Sequence, residues 1–328
     1  MPPTLVSSTP PARRTPPRAG AGEDVWANKT VGASIITVCV PAYHDDAALL
    51  IDSLRTMQDA DQIDLLILDD GSDDKALTAR LKSQLEEAPF AARLITAHKN
   101  RGRSDARNRL AELADCDWLL FLDADMQPDD ERFLSRYLEA MKKAPGPALI
   151  AGGFSLKQVK STRETALHEA QSQTSECLDA ATRNRAPGRY VFSSNILVHR
   201  DVLDAVPFDP GYQGWGWEDI DWGLSIAARY PVLHIDNPAT HLGLVDTDTL
   251  LEKFGGSGRN FAHLARRHPE AVQQMPLYRM ARRFRHLPAK GALQALTRWG
   301  ARNSRLPDGL RLVCLKTFRA IAYSKDLT

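Results

Sequence analysis

The sequence predicts an α/β protein with a mostly parallel sheet flanked by helices, followed by a helical, basic C-terminal extension. Short apolar runs alternate with stretches of helical periodicity, and polar clusters directly follow three of those runs. The charge is also unevenly distributed. The 328 residues have a net charge of +1, but residues 259–328 contain 15 lysines and arginines against 3 acids, a net of +12, which leaves −11 for residues 1–258.

The composition excludes several classes of protein. With 43% hydrophobic and 25% charged residues, the chain is neither a disordered chain, nor a collagen-like fibre, nor a small disulfide-dependent scaffold. The four cysteines lie far apart, which excludes a Cys-x-x-Cys site and favours reduced thiols. No apolar run reaches the 18 residues typical of a membrane-spanning helix. Residues 1–22 are rich in Pro, Arg, Thr and Ala, so we expect a disordered leader over residues 1–32 and no signal peptide.

Four strand–helix units are predicted in the first half of the chain. The β-branched run at residues 35–40 ends at Pro41 and predicts a buried strand. Apolar residues at helical spacing then predict a helix over residues 45–57, and Ser104 is a favourable N-cap for a later one. The remaining units comprise strands at residues 63–68, 93–97 and 118–122 and helices at residues 74–87, 104–113 and 129–142.

The second half is less regular. Strands are predicted at residues 148–154, 190–198 and 232–235, and helices at residues 164–182 and 218–229. A loop rich in glycine and tryptophan precedes the second helix, and a loop extends through His241. From residue 247 onward the pattern is helical and basic. We therefore divide the chain into the leader, a main α/β domain at residues 33–258 and an extension at residues 259–328.

Polar residues follow three predicted strands, at residues 41–43, 69–72 and 123–125. In a parallel sheet these strand ends share one edge, and ligands bind there. Asp123 and Asp125 can both reach a hard divalent cation such as Mg²⁺ or Mn²⁺, although a polar turn has the same pattern. Asp70 is either a turn residue or an acceptor for the imide N–H of a nucleobase.

Two further clusters carry residue types that suit sugar-phosphate chemistry. Arg103 and Arg107 stand near Gly102 at a predicted helix start, which suits a diphosphate, although a solvated basic helix start has the same pattern. In the segment GWGWEDID (residues 214–221), tryptophan faces can pack on a sugar ring and a neighbouring carboxylate can act as a general base. His241 is either a structural histidine or a third metal ligand.

Taken together, these motifs resemble those of the family 2 glycosyltransferases, which have the GT-A fold, a Rossmann-like fold that binds nucleotide-diphospho-sugars. The resemblance covers about residues 35–245 in the family's order and spacing, and leaves the leader and the extension uncovered. The matching segments are VCVPAY (38–43), LDDGSDD (68–74), NRGRSDARN (100–108), LFLDADMQPD (120–129), GWGWEDID (214–221) and THLG (240–243).

The resemblance implies a metal-dependent, inverting transferase of the hexosyltransferase type. It would move a sugar from a nucleotide-diphosphate donor, with a UDP-sugar expected, to a saccharide or lipid-linked acceptor in the synthesis of surface polysaccharides or glycoconjugates. The implied donor-binding residues are Pro41, Tyr43, Asp70, Arg103, Arg107 and Asp123. The implied ligands of Mn²⁺ or Mg²⁺ are Asp123, Asp125 and His241.

The acceptor side also follows from the resemblance. Asp219 would be the catalytic base, and Glu218 would position the hydroxyl groups of the acceptor or the donor. Trp215, Trp217 and Asn195 are placed in the sugar pocket. Many relatives have glycine where this chain has Trp217, so we expect this residue to reshape that pocket.

Three alternative functions stay open: a retaining glycosyltransferase, a nucleotidyltransferase on a related fold, and a non-catalytic sugar-nucleotide-binding protein. A nucleotidyltransferase would need a glycine-rich, basic loop after the first strand, and residues 41–45 contain no glycine. A dinucleotide oxidoreductase is disfavoured because no G-x-G-x-x-G follows that strand.

The extension has three interpretations. Its last helix carries an apolar stripe among basic residues and could lie on an anionic membrane. It could instead pack on the main domain, or bind nucleic acid, which we do not expect because it has no recognised motif. We expect a cytoplasmic protein with peripheral contact at the inner face of the cell membrane. The residues of the stripe are Leu310, Val313, Cys314, Thr317, Phe318 and Ile321.

Overall fold

The structure, a computed structural model, describes residues 20–327, which form eleven strands and fourteen α-helices. The strands are β1 (Glu23–Ala27), β2 (Ile36–Ala42), β3 (Ile63–Asp69), β4 (Ala91–Ala97), β5 (Trp118–Leu122), β6 (Met126–Pro128), β7 (Leu149–Ala151), β8 (Phe154–Ser155), β9 (Asn195–His199), β10 (Val232–His234) and β11 (Ala239–His241). The helices are α1 (Ala48–Arg55), α2 (Lys75–Glu86), α3 (Arg103–Leu113), α4 (Phe133–Lys143), α5 (Ala166–Ser175), α6 (Ala180–Arg183), α7 (Arg200–Ala205), α8 (Glu218–Ala227), α9 (Thr247–Gly256), α10 (Gly258–Arg267), α11 (Pro269–Gln273), α12 (Pro276–Phe284), α13 (Lys290–Arg302) and α14 (Asp308–Tyr323).

An eight-stranded sheet lies at the centre, in the order β1-β4-β3-β2-β5-β9-β7-β10. The strands β4, β3, β2 and β5 are mutually parallel, and β10 is parallel to β7. Strand β9 is antiparallel to both of its neighbours, and β1 is antiparallel to β4. The predicted α/β fold with a mostly parallel sheet is therefore confirmed. A small second sheet, β6-β11-β8, lies at the carboxyl ends of the central strands and carries His241.

Both faces of the central sheet are covered by helices. Residues of β2 point alternately to the two faces. Val38 belongs to one apolar layer with Phe133 of α4, and Cys39 belongs to the other with Leu110 of α3 and Trp222 of α8. Strands buried on both faces read as continuous apolar runs, which explains why the sequence pattern identified them.

The predicted disordered leader is wrong for residues 23–27, which form β1 at the edge of the sheet; residues 1–19 lie outside the described residues. The carboxylate of Glu23 is buried and accepts two hydrogen bonds from Arg109, at 2.8 and 3.0 Å. This tertiary ion pair holds a segment whose own composition is not typical of a strand.

Glycines and a capping aspartate divide two of the predicted elements. The strand predicted at residues 148–154 is split into β7 and β8 by Gly152 and Gly153, and Gly153 has a φ of +96°. The helix predicted at residues 164–182 is divided into α5 and α6, because Asp179 caps α6 by accepting the Thr182 N–H at 2.7 Å. The strand predicted at residues 190–198 begins only at Asn195.

The C-terminal extension packs on the main domain. Phe261 of α10 and Tyr323 of α14 form an apolar cluster with Trp217, and Phe318 belongs to a second cluster with Trp215. Phe318 and Ile321 are buried, so the predicted membrane-facing stripe is wrong for these two residues. Within residues 20–327, no helix combines the length and apolar character needed to cross a membrane.

Polar contacts, one of them an ion pair of Arg267, also join the extension to the main domain. Arg267 and His268 contact the Asp221 carboxylate of α8 at 2.6 and 2.9 Å. His263 of α10 contacts Asp209 at 3.0 Å. Part of the positive charge of the extension therefore pairs with acids of the main domain.

Candidate active site

A buried arginine lies among carboxylates at the carboxyl edge of the sheet. Arg107 of α3 donates from Nη2 to Asp123 Oδ1 at 2.8 Å, while its Nε and Nη1 have no hydrogen-bond partner among residues 20–327. Burial acts to lower the pKa of Arg107, but Asp123, Asp219 and Glu218 together raise it. An unsatisfied buried donor costs about 1–3 kcal/mol. The guanidinium is thus suited to an anionic ligand.

The two predicted catalytic carboxylates begin α8. Asp219 Oδ1 accepts the Ser193 hydroxyl proton at 2.5 Å, and burial raises the pKa of Asp219. Glu218 is buried, its Oε2 has no hydrogen-bond partner within the described residues, and Arg103 Nη1 lies 3.7 Å from its Oε1. Burial and the charge of Asp219 raise the pKa of Glu218. A carboxylate with a raised pKa is a stronger proton acceptor than an exposed one, which suits a general base.

Asp125 and His241 form the second pair in the site. Asp125 Oδ2 lies 3.1 Å from His241 Nε2, and His241 Nδ1 is buried with no hydrogen-bond partner in the part of the chain that the structure describes. Burial acts to raise the pKa of Asp125, but the His241 hydrogen bond holds it below its usual range. For His241, burial acts to lower the pKa, but the contact with Asp125 outweighs it and raises the pKa above its usual value. Gly243 leaves room beside the pair, since a Cβ there would lie 2.1 Å from Asp125 Oδ2.

These side chains fit a divalent metal in part. Carboxylate and imidazole groups suit Mn²⁺ or Mg²⁺, which bind one or two carboxylates together with substrate phosphates. Of the three predicted ligands, Asp125 and His241 are in contact, whereas Asp123 is bonded to Arg107. Within the described part of the chain, no three acidic, histidine or cysteine side chains converge into a complete metal cage. The pair therefore offers a partial site that a phosphate ligand would complete.

The base-side residues lie at the ends of β2 and β3. Both carboxylate oxygens of Asp70 accept main-chain N–H groups, from Arg101 and Gly102, at 2.9–3.1 Å. These hydrogen bonds act to lower the pKa of Asp70, but burial outweighs them and raises it. Asp70 thus fixes the loop that leads to Arg103, and its contact with a nucleobase stays a prediction. Pro41 is the second-last residue of β2, and Tyr43, just after the strand, is 47% exposed, a flat face available for stacking.

The predicted placement of Asn195 in the sugar pocket is wrong. Asn195 is buried, and its Nδ2 donates to the carbonyl oxygens of Gly153 and Asn237 at 2.8 and 3.0 Å. Its Oδ1 accepts the Tyr137 hydroxyl proton at 2.7 Å. Because the polar groups of its side chain bond within the core, Asn195 joins chain segments rather than facing a ligand.

The two predicted pocket tryptophans are half-buried against the C-terminal helices. The Trp215 ring lies 5.5 Å from that of Phe254 on α9. The Trp217 ring lies 4.6 Å from that of Phe261 on α10, and its Nε1 donates to Tyr323 Oη at 3.0 Å. Only part of each indole is left to face a sugar.

Three nearby residues carried no sequence signal. Ser193 orients Asp219 and precedes β9 in an irregular segment. His168 of α5 lies 6.2 Å from His241 between ring centroids, and burial lowers the pKa of His168 to about 4. Lys253 of α9 is close enough to Asp125 and Arg103 for their charges to act on it, although burial is the main cause of its lowered pKa. Each lies outside the recognised motifs, so only the tertiary structure brings it to the site.

Comparison with known proteins identifies the family. The model of glycosyl transferase family 2 matches residues 37–205, more than half of the chain. The fold is similar to that of the mannosyltransferase PcManGT from Pyrobaculum calidifontis in complex with GDP-Man and Mn²⁺, with a TM-score of 0.59 and 16% identity over 92% of this chain and 89% of that chain. It is also similar to TarS of S. aureus, with a TM-score of 0.50 and 12% identity over 88% of this chain and 54% of that chain. No curated protein sequence matches the chain. The predictions of family, GT-A fold and enzyme class are confirmed: the chain belongs to glycosyl transferase family 2.

Proposed function

We propose that this glycosyltransferase is a metal-dependent, inverting enzyme that moves a sugar from a nucleotide-diphosphate donor, foremost a UDP-sugar, to a saccharide or lipid-linked hydroxyl group in polysaccharide or glycoconjugate synthesis. The proposal rests on the buried Arg107 guanidinium, whose Nε and Nη1 find no partner in the described part of the chain. This guanidinium lies near Asp123, Glu218 and Asp219. A diphosphate on this guanidinium would lie near a carboxylate that can accept a proton. Glycosyl transfer needs both of these groups near the reacting sugar: a diphosphate that can leave and a carboxylate that can accept a proton.

The metal we propose is Mn²⁺ or Mg²⁺, with Asp125, His241 and Asp123 as ligands. The contact between Asp125 and His241 supports this, because a divalent ion would replace the proton that these two groups share. PcManGT, one of the similar structures, is in complex with GDP-Man and Mn²⁺. When bound, the metal would neutralise the charge that develops on the leaving diphosphate.

The side chains would act in a single displacement. Asp219, oriented by Ser193, takes the proton of the acceptor hydroxyl as its oxygen bonds to the anomeric carbon of the donor. The bond from that carbon to the diphosphate breaks, and its electron pair stays on the diphosphate oxygen. Arg107 and Arg103, which lie near Asp123 and Glu218, would stabilise that charge. Attack from the opposite face inverts the anomeric configuration.

A donor screen tests the proposal. UDP- and GDP-linked sugars, each with and without Mn²⁺, are scored by thermal stabilisation and by release of the nucleoside diphosphate. A ligand at 100 times its Kd stabilises the folded protein by about 2.7 kcal/mol. We expect a metal-dependent response that Asp125→Asn abolishes and Asp52→Asn, at an exposed site on α1, retains. A response that is equal without metal, or that Asp125→Asn leaves intact, contradicts the metal assignment.

We further propose peripheral contact with an anionic membrane through α13 and α14. Leu296 and Trp299 of α13 are 60% and 59% exposed, and Leu310 and Val313 of α14 are 48% and 59% exposed. The extension that carries them has a net charge of +12. Exposed leucine and tryptophan on a basic helical surface are typical of proteins that bind the lipid–water interface.

Vesicle sedimentation tests the membrane contact. The wild-type protein should sediment with vesicles of phosphatidylcholine and phosphatidylglycerol, and less with phosphatidylcholine alone. Trp299→Ser should weaken this binding, and Leu49→Ser, at an exposed apolar position on α1, serves as the control. Equal binding to both kinds of vesicle, or equal binding by the two variants, would contradict membrane contact through this surface.

A further inference from the structure

The loop that leads to the proposed base has an unusual backbone. In the segment from Gln213 to Trp217, which we call the acceptor loop, the φ angles of Gly214, Gly216 and Trp217 are +72°, +93° and +80°. Glycine adopts such angles readily, but a bulky residue does so only when its surroundings impose the conformation. Trp217 directly precedes α8, whose first residues are Glu218 and Asp219. Whatever holds Trp217 therefore also sets where α8 begins.

The C-terminal extension holds the main chain of this loop. Asn260 of α10 is buried, and its Nδ2 donates to the carbonyl oxygens of Gln213 and Gly216 at 2.9 and 3.0 Å. These two bonds connect the first residue of the loop to the residue before Trp217. A helix outside the region matched by the family model thus supports the loop.

The side chain of Trp217 is held by α14. Its Nε1 donates to Tyr323 Oη at 3.0 Å, and Arg319 Nε donates to the same oxygen at 3.0 Å. The Arg319 guanidinium carbon lies 4.7 Å from the Trp217 ring centroid and 4.2 Å from that of Phe254. The Trp217 indole is therefore held by one cation–π contact, from Arg319, and one hydrogen bond, to Tyr323, and Arg319 also bonds to Tyr323.

We propose that Arg319 and Tyr323 are positioning residues for glycosyl transfer: by holding the Trp217 indole they keep the start of α8, and with it Glu218 and Asp219, in place for the acceptor. The inference rests on the proposed function, in which Asp219 is the base. It makes the extension part of the catalytic apparatus in addition to any role in docking.

The expected effect falls on turnover. Without Arg319 the indole loses its cation and the acceptor loop can relax. A displacement of about 1 Å at a reacting group can lower the rate about 100-fold. Donor binding should change little, because the donor-side residues Arg107 and Asp123 lie on α3 and at the end of β5.

The experiment compares Arg319→Gln, Arg319→Lys and Tyr323→Phe with Lys316→Gln, which removes an exposed cation from the same helix. Transfer is measured with the donor and acceptor found in the screen, and the indole N–H resonance of Trp217 is followed by NMR after assignment with Trp217→Phe. We expect Arg319→Gln to lower kcat about 100-fold with donor KM little changed, and to shift the indole resonance. Arg319→Lys should recover part of both, Tyr323→Phe should shift the resonance, and Lys316→Gln should match the wild type.

Two results overturn the proposal. One is an unmoved indole resonance in a folded Arg319→Gln protein. The other is a loss of kcat that equals the loss of folded protein in both Arg319→Gln and Arg319→Lys. A residue that contributes only to folding would give this result. If the wild-type protein transfers no sugar from any nucleotide donor, the proposed function fails, and the indole resonance still decides whether Arg319 holds Trp217.

Discussion

Gly243 lies against the Asp125–His241 pair, so a single added methyl group tests the proposed metal site. A Cβ at this position would lie 2.1 Å from Asp125 Oδ2 and 3.1 Å from His241 Nε2. Because carbon–oxygen contacts settle at about 3.3–3.6 Å, Gly243→Ala must displace the carboxylate by about 1 Å. The displaced oxygen is the atom that contacts His241.

The loss expected from this displacement can be measured as binding. Disturbing the surroundings of a metal ligand typically lowers metal affinity about 10- to 100-fold. Calorimetric titration with Mn²⁺ in the presence of the preferred nucleoside diphosphate should show a loss of this size in Gly243→Ala. Gly291→Ala is the control, since a Cβ built there meets no described atom within 4 Å beyond the neighbouring residues and the backbone of its own helix. Equal Mn²⁺ affinity in folded Gly243→Ala and Gly291→Ala would show that Asp125 and His241 do not hold the metal.

Three further predictions concern the base, the extension and a buried histidine. Asp219→Asn should lower the rate of transfer about 10²- to 10⁴-fold. It should also raise Tm at pH 7, because burial raises the pKa of Asp219 and its ionised form opposes folding. A lower Tm in calorimetry would contradict this. Removing residues 259–328 should abolish cooperative unfolding, because Phe261 and Tyr323 are buried against the main domain, and a truncated protein with a sharp thermal transition would refute the packing argument. Burial lowers the pKa of His234 to about 4. The unfolded chain therefore binds more protons, and the free energy of unfolding should fall as pH drops from about 6.5 toward 4. Urea titrations at several pH values measure this fall. If the free energy of unfolding of His234→Gln falls with pH as steeply as that of the wild type, His234 is not the cause.

The central sheet and much of the site follow from local sequence. Strand β5 is a continuous apolar run that ends at Leu122, directly before Asp123, and this pattern depends on burial of both faces rather than on distant residues. Because parallel strands end at one edge, the polar residues that follow them are expected to lie close together. The structure brings Arg107 to Asp123 and to the start of α8 accordingly.

The features that local sequence patterns did not predict depend on tertiary contacts. Asn195 has the same local sequence whether it faces a ligand or joins core segments, and only its bonds to Gly153 and Asn237 distinguish the two. The apolar stripe of α14 would look the same on a membrane and on a protein. Burial of Phe318 and Ile321 depends on the surface that α14 meets. β1 likewise depends on the distant partner of Glu23.

Product stereochemistry tests the central claim most directly. With the donor found in the screen, NMR of the first product formed gives the anomeric configuration of the new bond before any slow equilibration. If Asp219 is the base of a single displacement, the configuration is opposite to that of the donor. A product with the donor's configuration would remove Asp219 from this role and contradict the proposed mechanism.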